Sequence, residues 1–245
     1  MDARTVWVTG AGSGMGRASA LIAAQDGRAI ALSGRRAGAL EEVAAEIRAA
    51  GGTALVVPLD VADRAAVKAA ALRIEEELGS IEALVLSAGL NSPRRYWRDQ
   101  DLEEFAAITD TNLLGPVSVI DAVLPGMRER GAGTIVLVSS YSAWRFSPDA
   151  GAAYSASKTA LGPLAATLNA QENQHGIRAC HLCPGDVDSD FLNQRPEVPG
   201  AADRAVMLSP EDVGRAVSFV LTSPPHVVID ELVLSPAKPA AGTAA

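Results

Sequence analysis

Thr9-Gly10-Ala11-Gly12-Ser13-Gly14-Met15-Gly16 decides how this chain is read. An apolar run, Thr5–Thr9, leads into it, and a helical pattern from Gly14 to Gln25 leads out. Glycine tolerates positive φ and lets backbone come close to a ligand or to other backbone. A helix that starts in such a turn offers unpaired N–H groups and partial positive charge to an anion. Strand, glycine turn and helix in this order predict a phosphate-cradling site at the head of an α/β fold. Gly10, Ser13, Gly14, Met15 and Gly16 are its candidate contacts, although Gly10-x-x-x-Gly14-x-Gly16 is not the GxGxxG spacing.

Beyond the turn, β-type runs alternate with helical patterns. Strands are expected at 5–9, 28–33, 54–58, 83–86, 134–138, 177–182 and 231–234. Helices are expected near 14–25, 38–49, 64–78, 102–130, 152–174 and 210–222. Several strands are continuous Val/Ile/Leu runs, the pattern of a parallel sheet covered on both faces. The alternation predicts right-handed crossovers and one doubly wound, Rossmann-type domain over 1–245, with a seven-stranded parallel sheet flanked by helices. Gly115-Pro116 should bend or break the long helix. The polar, proline-bearing stretch 188–207 reads as a lid over a site or as a variable surface loop. The Ala/Pro-rich segment 236–245 reads as a flexible or partner-docked tail.

The 245 residues carry a net charge of −8, and 48% are hydrophobic. The acidic balance argues against nucleic acid or an anionic membrane as the main partner. No uninterrupted apolar run reaches the roughly 18 residues of a membrane span. The two cysteines and the absence of a visible secretory signal predict a reducing, cytoplasmic setting. Cys180-His181-Leu182-Cys183 has CxxC spacing but falls on a strand. Strand residues three apart lie about 10 Å apart on opposite faces, beyond the ~7 Å Cα limit of a disulfide. With no second ligand cluster to complete a metal site, both read as strand cysteines.

The second strand ends in Ser33-Gly34-Arg35-Arg36. A carboxylate there would bind a ribose 2′-hydroxyl, whereas guanidiniums suit a 2′-phosphate. Arg35 and Arg36 therefore favour NADP(H) over NAD(H), unless they only cap a surface turn. Asp60-Val61, after the third strand, either meets the adenine or caps the next helix.

Tyr154 and Lys158 lie four residues apart, on one face of a helix. A cation beside a phenol favours the phenolate, which makes the pair an acid/base device. Ser139-Ser140 stands upstream.

Taken in order, Thr9-Gly10-x-x-x-Gly14-x-Gly16, Asp60, Ser87-Ala88-Gly89, Asn112, Ser140, Tyr154, Lys158 and Pro184-Gly185 resemble the short-chain dehydrogenases/reductases over nearly the whole chain. The resemblance implies a catalytic Asn112, Ser140, Tyr154 and Lys158. It implies further cofactor contacts from Ala88, Gly89, Tyr154, Lys158, Pro184, Gly185, Val187 and Ser189. Tyr154 would exchange the substrate proton and Ser140 would hold the carbonyl oxygen. Lys158 would lower the tyrosine pKa and bond the nicotinamide ribose. Asn112 would anchor a water leading from Lys158 to solvent. Ser140 lies fourteen residues before Tyr154, one more than the family spacing, so Ser139 and Ser142 are alternatives. Leu86-Ser87-Ala88-Gly89 departs from the family's Asn-Asn-Ala-Gly, and the usual C-terminal Asp-Gly-Gly is missing.

The ending Ser223–Pro236, with Asp190–Arg195, resembles the branch of NADP-dependent 3-hydroxy acid (serine-type) dehydrogenases. There Arg195 would meet a substrate carboxylate, or it is a surface arginine. The resemblance implies a small carbonyl or alcohol substrate and a homo-oligomer, tetramer or dimer. The alternatives are a reductase of a bulkier secondary-metabolite carbonyl and a non-catalytic NADP-binding sensor.

Overall fold

The computed structural model describes residues 4–237. Expectations for 238–245, most of the tail, lie outside the described residues. Seven strands form one parallel sheet in the order β3-β2-β1-β4-β5-β6-β7. They are β1 (Thr5–Thr9), β2 (Ala29–Ser33), β3 (Ala54–Val56), β4 (Ile81–Leu86), β5 (Gly133–Val138), β6 (Ile177–Pro184) and β7 (Glu231–Leu234). The order reverses between β1 and β4, and in an open parallel sheet that switch point is where ligands bind.

The helices are α1 (Gly14–Gln25), α2 (Ala37–Ala49), α3 (Arg64–Leu78), α4 (Leu102–Thr109), α5 (Gly115–Arg130) and the short α6 (Tyr141–Trp144). After these come α7 (Ala152–Thr159), α8 (Leu161–Glu172), the short α9 (Ala201–Arg204) and α10 (Pro210–Thr222). Two apolar clusters explain the layering. Val6, Val8, Ile30, Leu32, Val85 and Val136 face α1, α2 and α10. Trp7, Leu84, Leu86, Ile135 and Leu137, on the other face, meet α3, α5 and α8. Strand residues alternate faces, so each continuous apolar strand feeds both layers. Trp7 is fully buried, and its indole N–H donates to Ser33 Oγ at 2.8 Å, which leaves no orphaned polar atom there.

Three expectations change in detail. The helix over 102–130 continues through Gly115-Pro116, but residues Asp110–Leu114 form a π-helical turn. Pro116 directly follows that turn and has no N–H to continue the i→i−4 ladder, so the regular pattern is interrupted there. The run Leu102–Arg130 has the length and apolarity of a membrane span, with 29 residues and a mean hydropathy of 1.2 in its most apolar window. Val119, Ile120, Val123 and Met127 of that run are buried against the sheet and α3, so part of its apolarity serves the core. The expected helix over 152–174 divides at Ala160, because Pro163 has no N–H to bond the Thr159 carbonyl.

Cys180 and Cys183 are buried and unbridged on opposite faces of β6, and burial pushes both thiols up to about 12. Cys180 packs in the α1/α10 layer. Cys183 shares its face with His181, whose Nδ1 lies 3.1 Å from Glu231 Oε2. Cys183 Sγ is 3.5 Å from both ring nitrogens. Equal distances put the sulfur over the ring face, away from the in-plane lone pairs that would bind a metal.

Candidate active site

The glycine turn closes on itself before any ligand is considered. A Cβ at Gly16 would stand 2.3 Å from the Gly10 carbonyl oxygen, and one at Gly10 2.8 Å from Ala88 N. Helix α1 therefore enters hard against the end of β1. Gly14 has φ +51, a left-handed value that suits glycine. Ser13, at the helix N-cap, makes no side-chain capping bond, and the first turn holds no acid. The leading N–H groups are thus left to an external anion.

A cleft of about 370 Å³ runs from this turn across the ends of β1, β2 and β4. At one end lie exposed Arg35 and Arg36, with Arg36 donating to Ser13 Oγ at 3.0 Å. Asp60 and Val61 line the same side, and Asp60 Oδ1 accepts from the Ala62 N–H at 3.0 Å, so its carboxylate braces a turn. At the other end are Ala88, Gly89, Tyr154, Lys158 and Ser189. A dinucleotide fits this set: backbone donors and guanidiniums for phosphates, and small residues where a ring must lie flat.

Tyr154 and Lys158 sit on α7, and Ser140 caps α6 beside them. The Ser140 hydroxyl accepts from Ser142 N and faces the Tyr154 phenol, whose pKa it lowers. Ser139 is turned away, donating to the Lys158 carbonyl at 3.0 Å, and Ser142 donates to Ser140 at 3.1 Å. Of the three serines, Ser140 is the one at the phenol. Lys158 is buried, and its Nζ donates to the Val138 carbonyl at 2.8 Å. Burial lowers its pKa to about 8.

Tyr154 departs from expectation. Burial raises its pKa, and this outweighs the Ser140 hydrogen bond and the cations Arg95 and Arg195, which pull it down, while Asp186 adds to the rise. Lys158 is not among the groups that move it. A desolvated phenol loses more by ionising than a nearby charge restores.

Asn112 is fully buried on the π-turn. Its Oδ1 accepts from the Leu90 N–H at 2.7 Å, and its Nδ2 donates to the Leu90 carbonyl at 2.9 Å and to Ser157 Oγ at 3.2 Å. The side chain thus braces the loop after β4.

Pro184, Gly185 and Val187 do not line the cleft. Gly185 N–H donates to the Leu234 carbonyl at 2.7 Å, and buried Val187 pairs with Leu208. Arg195 is ion-paired with Asp186. Ser87 of the Ser-Ala-Gly motif and Phe191 and Gln194 of the expected lid also line the cleft, as does Thr111, which sequence reasoning passed over. Phe191 belongs to a 3-10 turn, Asp190–Gln194, that lies over the Tyr154 ring at 5.9 Å between centroids. No spacing rule brings that turn to Tyr154; only the tertiary fold does.

The family model described as short chain dehydrogenase matches residues 4–199. The chain is 36% identical to an uncharacterised oxidoreductase of Mycobacterium tuberculosis, over 95% of this chain and 91% of that one. It is 32% identical to sulfoacetaldehyde reductase 2 of Chromohalobacter salexigens, over 96% and 95% of the two. It is 31% identical to glycine betaine reductase of Emericella nidulans, matching with 96% of its own length but spanning 19% of that protein. Among solved structures, serine dehydrogenase in its closed form with NADP+ aligns at a TM-score of 0.87 and 31% identity, covering 98% of each chain. An alcohol dehydrogenase from Thermococcus sibiricus, complexed with 5-hydroxy-NADP, aligns at 0.86 and 29% identity, covering 96% of this chain and 97% of that one. A 3-ketoacyl-(acyl-carrier-protein) reductase from Brucella melitensis, complexed with NADH, aligns at 0.86 and 26%, again with 96% and 97% covered.

Proposed function

The chain belongs to the short-chain dehydrogenase family, oxidoreductases of alcohols and ketones, and from that premise we propose that it uses NADP(H) on a small acid bearing a secondary alcohol or carbonyl. The observation that carries this reading is the cleft with guanidiniums at one end and the Ser140–Tyr154–Lys158 group at the other. Structural relatives hold either NADP or NADH, so overall shape does not choose the nucleotide. Arg35 and Arg36 choose it: two cations and no carboxylate at the end of β2 suit a 2′-phosphate.

The bound nicotinamide supplies or accepts the hydride. Tyr154 gives its proton to the carbonyl oxygen on reduction and takes it back on oxidation, so the C=O becomes CH–OH with charge balanced. Ser140 donates to the same oxygen and holds it against Tyr154. Lys158, with a pKa near 8, would hold the nicotinamide ribose and is the ammonium from which the phenol proton would be restored. Asn112 keeps the Leu90 loop in register with Ser157, one residue before Lys158. Tyr154 and Lys158 thus serve both chemistry and cofactor, as the other lining residues serve the cofactor alone.

An acidic substrate is supported by Arg195, whose partner Asp186 a substrate carboxylate can replace. The serine and sulfoacetaldehyde enzymes among the relatives are consistent with this class. A bulkier carbonyl is the second reading, favoured by Trp144 and Phe146, which are 41% and 87% exposed near the site. Segment 188–207 would act as the lid in either case. Exposed Leu102, Leu114 and Val117 on the α4–α5 run supply a face for a homo-oligomer, and sedimentation as a monomer would exclude it.

The test is absorbance at 340 nm with NADPH or NADH against 3-oxo acids and bulky ketones, and with serine and 3-hydroxy acids in reverse. NADPH turnover with a small acid is expected. Preference for NADH, or no turnover of any carbonyl, would overturn the reading.

A further inference from the structure

Arg95 is a buried arginine, 7% exposed, that forms no ion pair among the described residues. Its neighbour Arg94 behaves conventionally, pairing with Glu104 at 2.5 Å near the surface. The Arg95 guanidinium instead donates to three backbone carbonyls from three separate segments. Nε reaches Ser92 O at 2.7 Å in its own loop. Nη1 reaches Asp149 O at 3.3 Å, just ahead of α7. Nη2 reaches Gln194 O, the last residue of the 3-10 turn that covers Tyr154.

Two further contacts tie the same three segments. The Asn91 N–H donates to Gln194 Oε1 at 2.8 Å, and Asn91 Nδ2 donates to Ala150 O at 3.2 Å. Gly151, the N-cap of α7, has φ +86, and a Cβ there would lie 2.6 Å from Arg95 Cβ. Arg95 therefore rests directly on the first turn of the helix that carries Tyr154 three residues later.

We infer that Arg95 is a positioning residue that fastens the Asp190–Gln194 turn and the loop after β4 to the start of α7, and that it places an unpaired guanidinium in the pocket it shares with Tyr154. A guanidinium spreads its donors over three nitrogens of a rigid plane and so reaches three separated carbonyls, whereas the three N–H bonds of an ammonium leave one atom on a flexible stem. The groups that face Tyr154 are Ser140, Arg95, Arg195 and Asp186, with Lys158 on its own helix. Arg195 also acts on the phenol, but its partner Asp186 opposes it there, whereas Arg95 forms no ion pair among the described residues. Opening the lid would withdraw the Gln194 carbonyl from Arg95, so closure and the Tyr154 environment are linked through one side chain.

The charge effect rests on the reading of Tyr154 as the proton donor, whereas the fastening does not. Arg95→Met and Arg95→Lys separate the two. Trypsin cleavage at Arg204 reads lid closure in the protein with or without NADPH, and NADPH fluorescence reads the nucleotide site. The pH profile of kcat/KM with the best carbonyl of the panel reads Tyr154. Arg95→Met is expected to be cleaved at Arg204 about ten-fold faster and to lose about ten-fold in kcat, with NADPH affinity kept. The alkaline break of its pH profile should move up. Arg95→Lys should restore the break but not the protection. Wild-type cleavage and an unmoved break in Arg95→Met would overturn the inference. Should Arg95→Met fail to fold, wild-type protection in Arg95→Lys would overturn it. Wild-type protein inert toward every carbonyl would reject the proposed function and leave cleavage to decide the fastening.

Discussion

The ammonium of Lys158 stands 6.0 Å from the centre of the Tyr154 ring and gives its hydrogen bond to the Val138 carbonyl. The pair shares a helix face as the four-residue spacing requires, yet the lysine is committed to the end of β5. Its field is not among the influences that shift the phenol, and burial dominates both groups.

Tyr154→Phe removes one oxygen from a half-buried ring that packs beside Phe191. The fold and NADPH binding should persist, and turnover should fall by about 10²- to 10⁴-fold, the usual worth of a positioned acid. Stopped-flow measurement of NADPH oxidation checks this, and near-native turnover would remove Tyr154 from the mechanism.

Lys158→Met should raise stability while abolishing activity. With a folded pKa of about 8 against 10.5 for a free lysine, the native state binds fewer protons than the unfolded chain between those values. Stability of the wild type therefore rises with pH across that window, and below pH 8 the buried charge is a standing cost. The variant should gain about 1–3 kcal/mol at pH 7. Its advantage should shrink as pH climbs from 8 to 10.5. Thermal melts at pH 7, 9 and 10.5 test the trend, and an advantage that grows with pH would contradict it.

Arg35→Ala combined with Arg36→Ala should weaken NADPH by roughly ten- to a hundred-fold, the scale of two charge-assisted contacts. NADH should be affected by less than about two-fold, since it lacks the 2′-phosphate. Equal losses for both nucleotides in fluorescence titrations would mean that the arginines steer phosphate generally.

Gly16→Ala puts a methyl group 2.3 Å from the Gly10 carbonyl oxygen, and neither backbone segment can yield without moving α1 off β1. Denaturant melts should show a loss of about 2–3 kcal/mol, with nucleotide affinity falling alongside. Gly38→Ala, where a Cβ meets nothing within 4 Å, is the matched control and should be neutral or slightly stabilising.

Much of the scaffold was legible because it is local. Thr5–Thr9 and Glu231–Leu234 read as strands from side-chain type alone, and Ser209-Pro210 with Asp212 spells the capping box that starts α10. What escaped depends on segments far apart in the chain. The π-turn at Asp110–Leu114 forms where Asn112 is drawn to Leu90, and nothing within those five residues announces it. Phe191 and Gln194 reach Tyr154 only once residues 190–194 have folded back across the sheet. Arg95 carries no signature, since its partners are carbonyls at 92, 149 and 194. Spacing placed Lys158 on the same face as Tyr154, but the depth of both lay beyond any periodicity, and so did the sign of the phenol's shift.

The widened turn at Asp110–Leu114 makes one helical rod behave as two with a swivel between them. Everything after it is rotated relative to everything before it. Deleting a single residue there would let the rod run straight, with its buried flank still able to sit on the sheet, while the amide of Asn112 swung off the loop it braces. A single-codon deletion at that joint would therefore spare the sheet's cover while loosening the loop that follows Ala88 and Gly89 at the cleft.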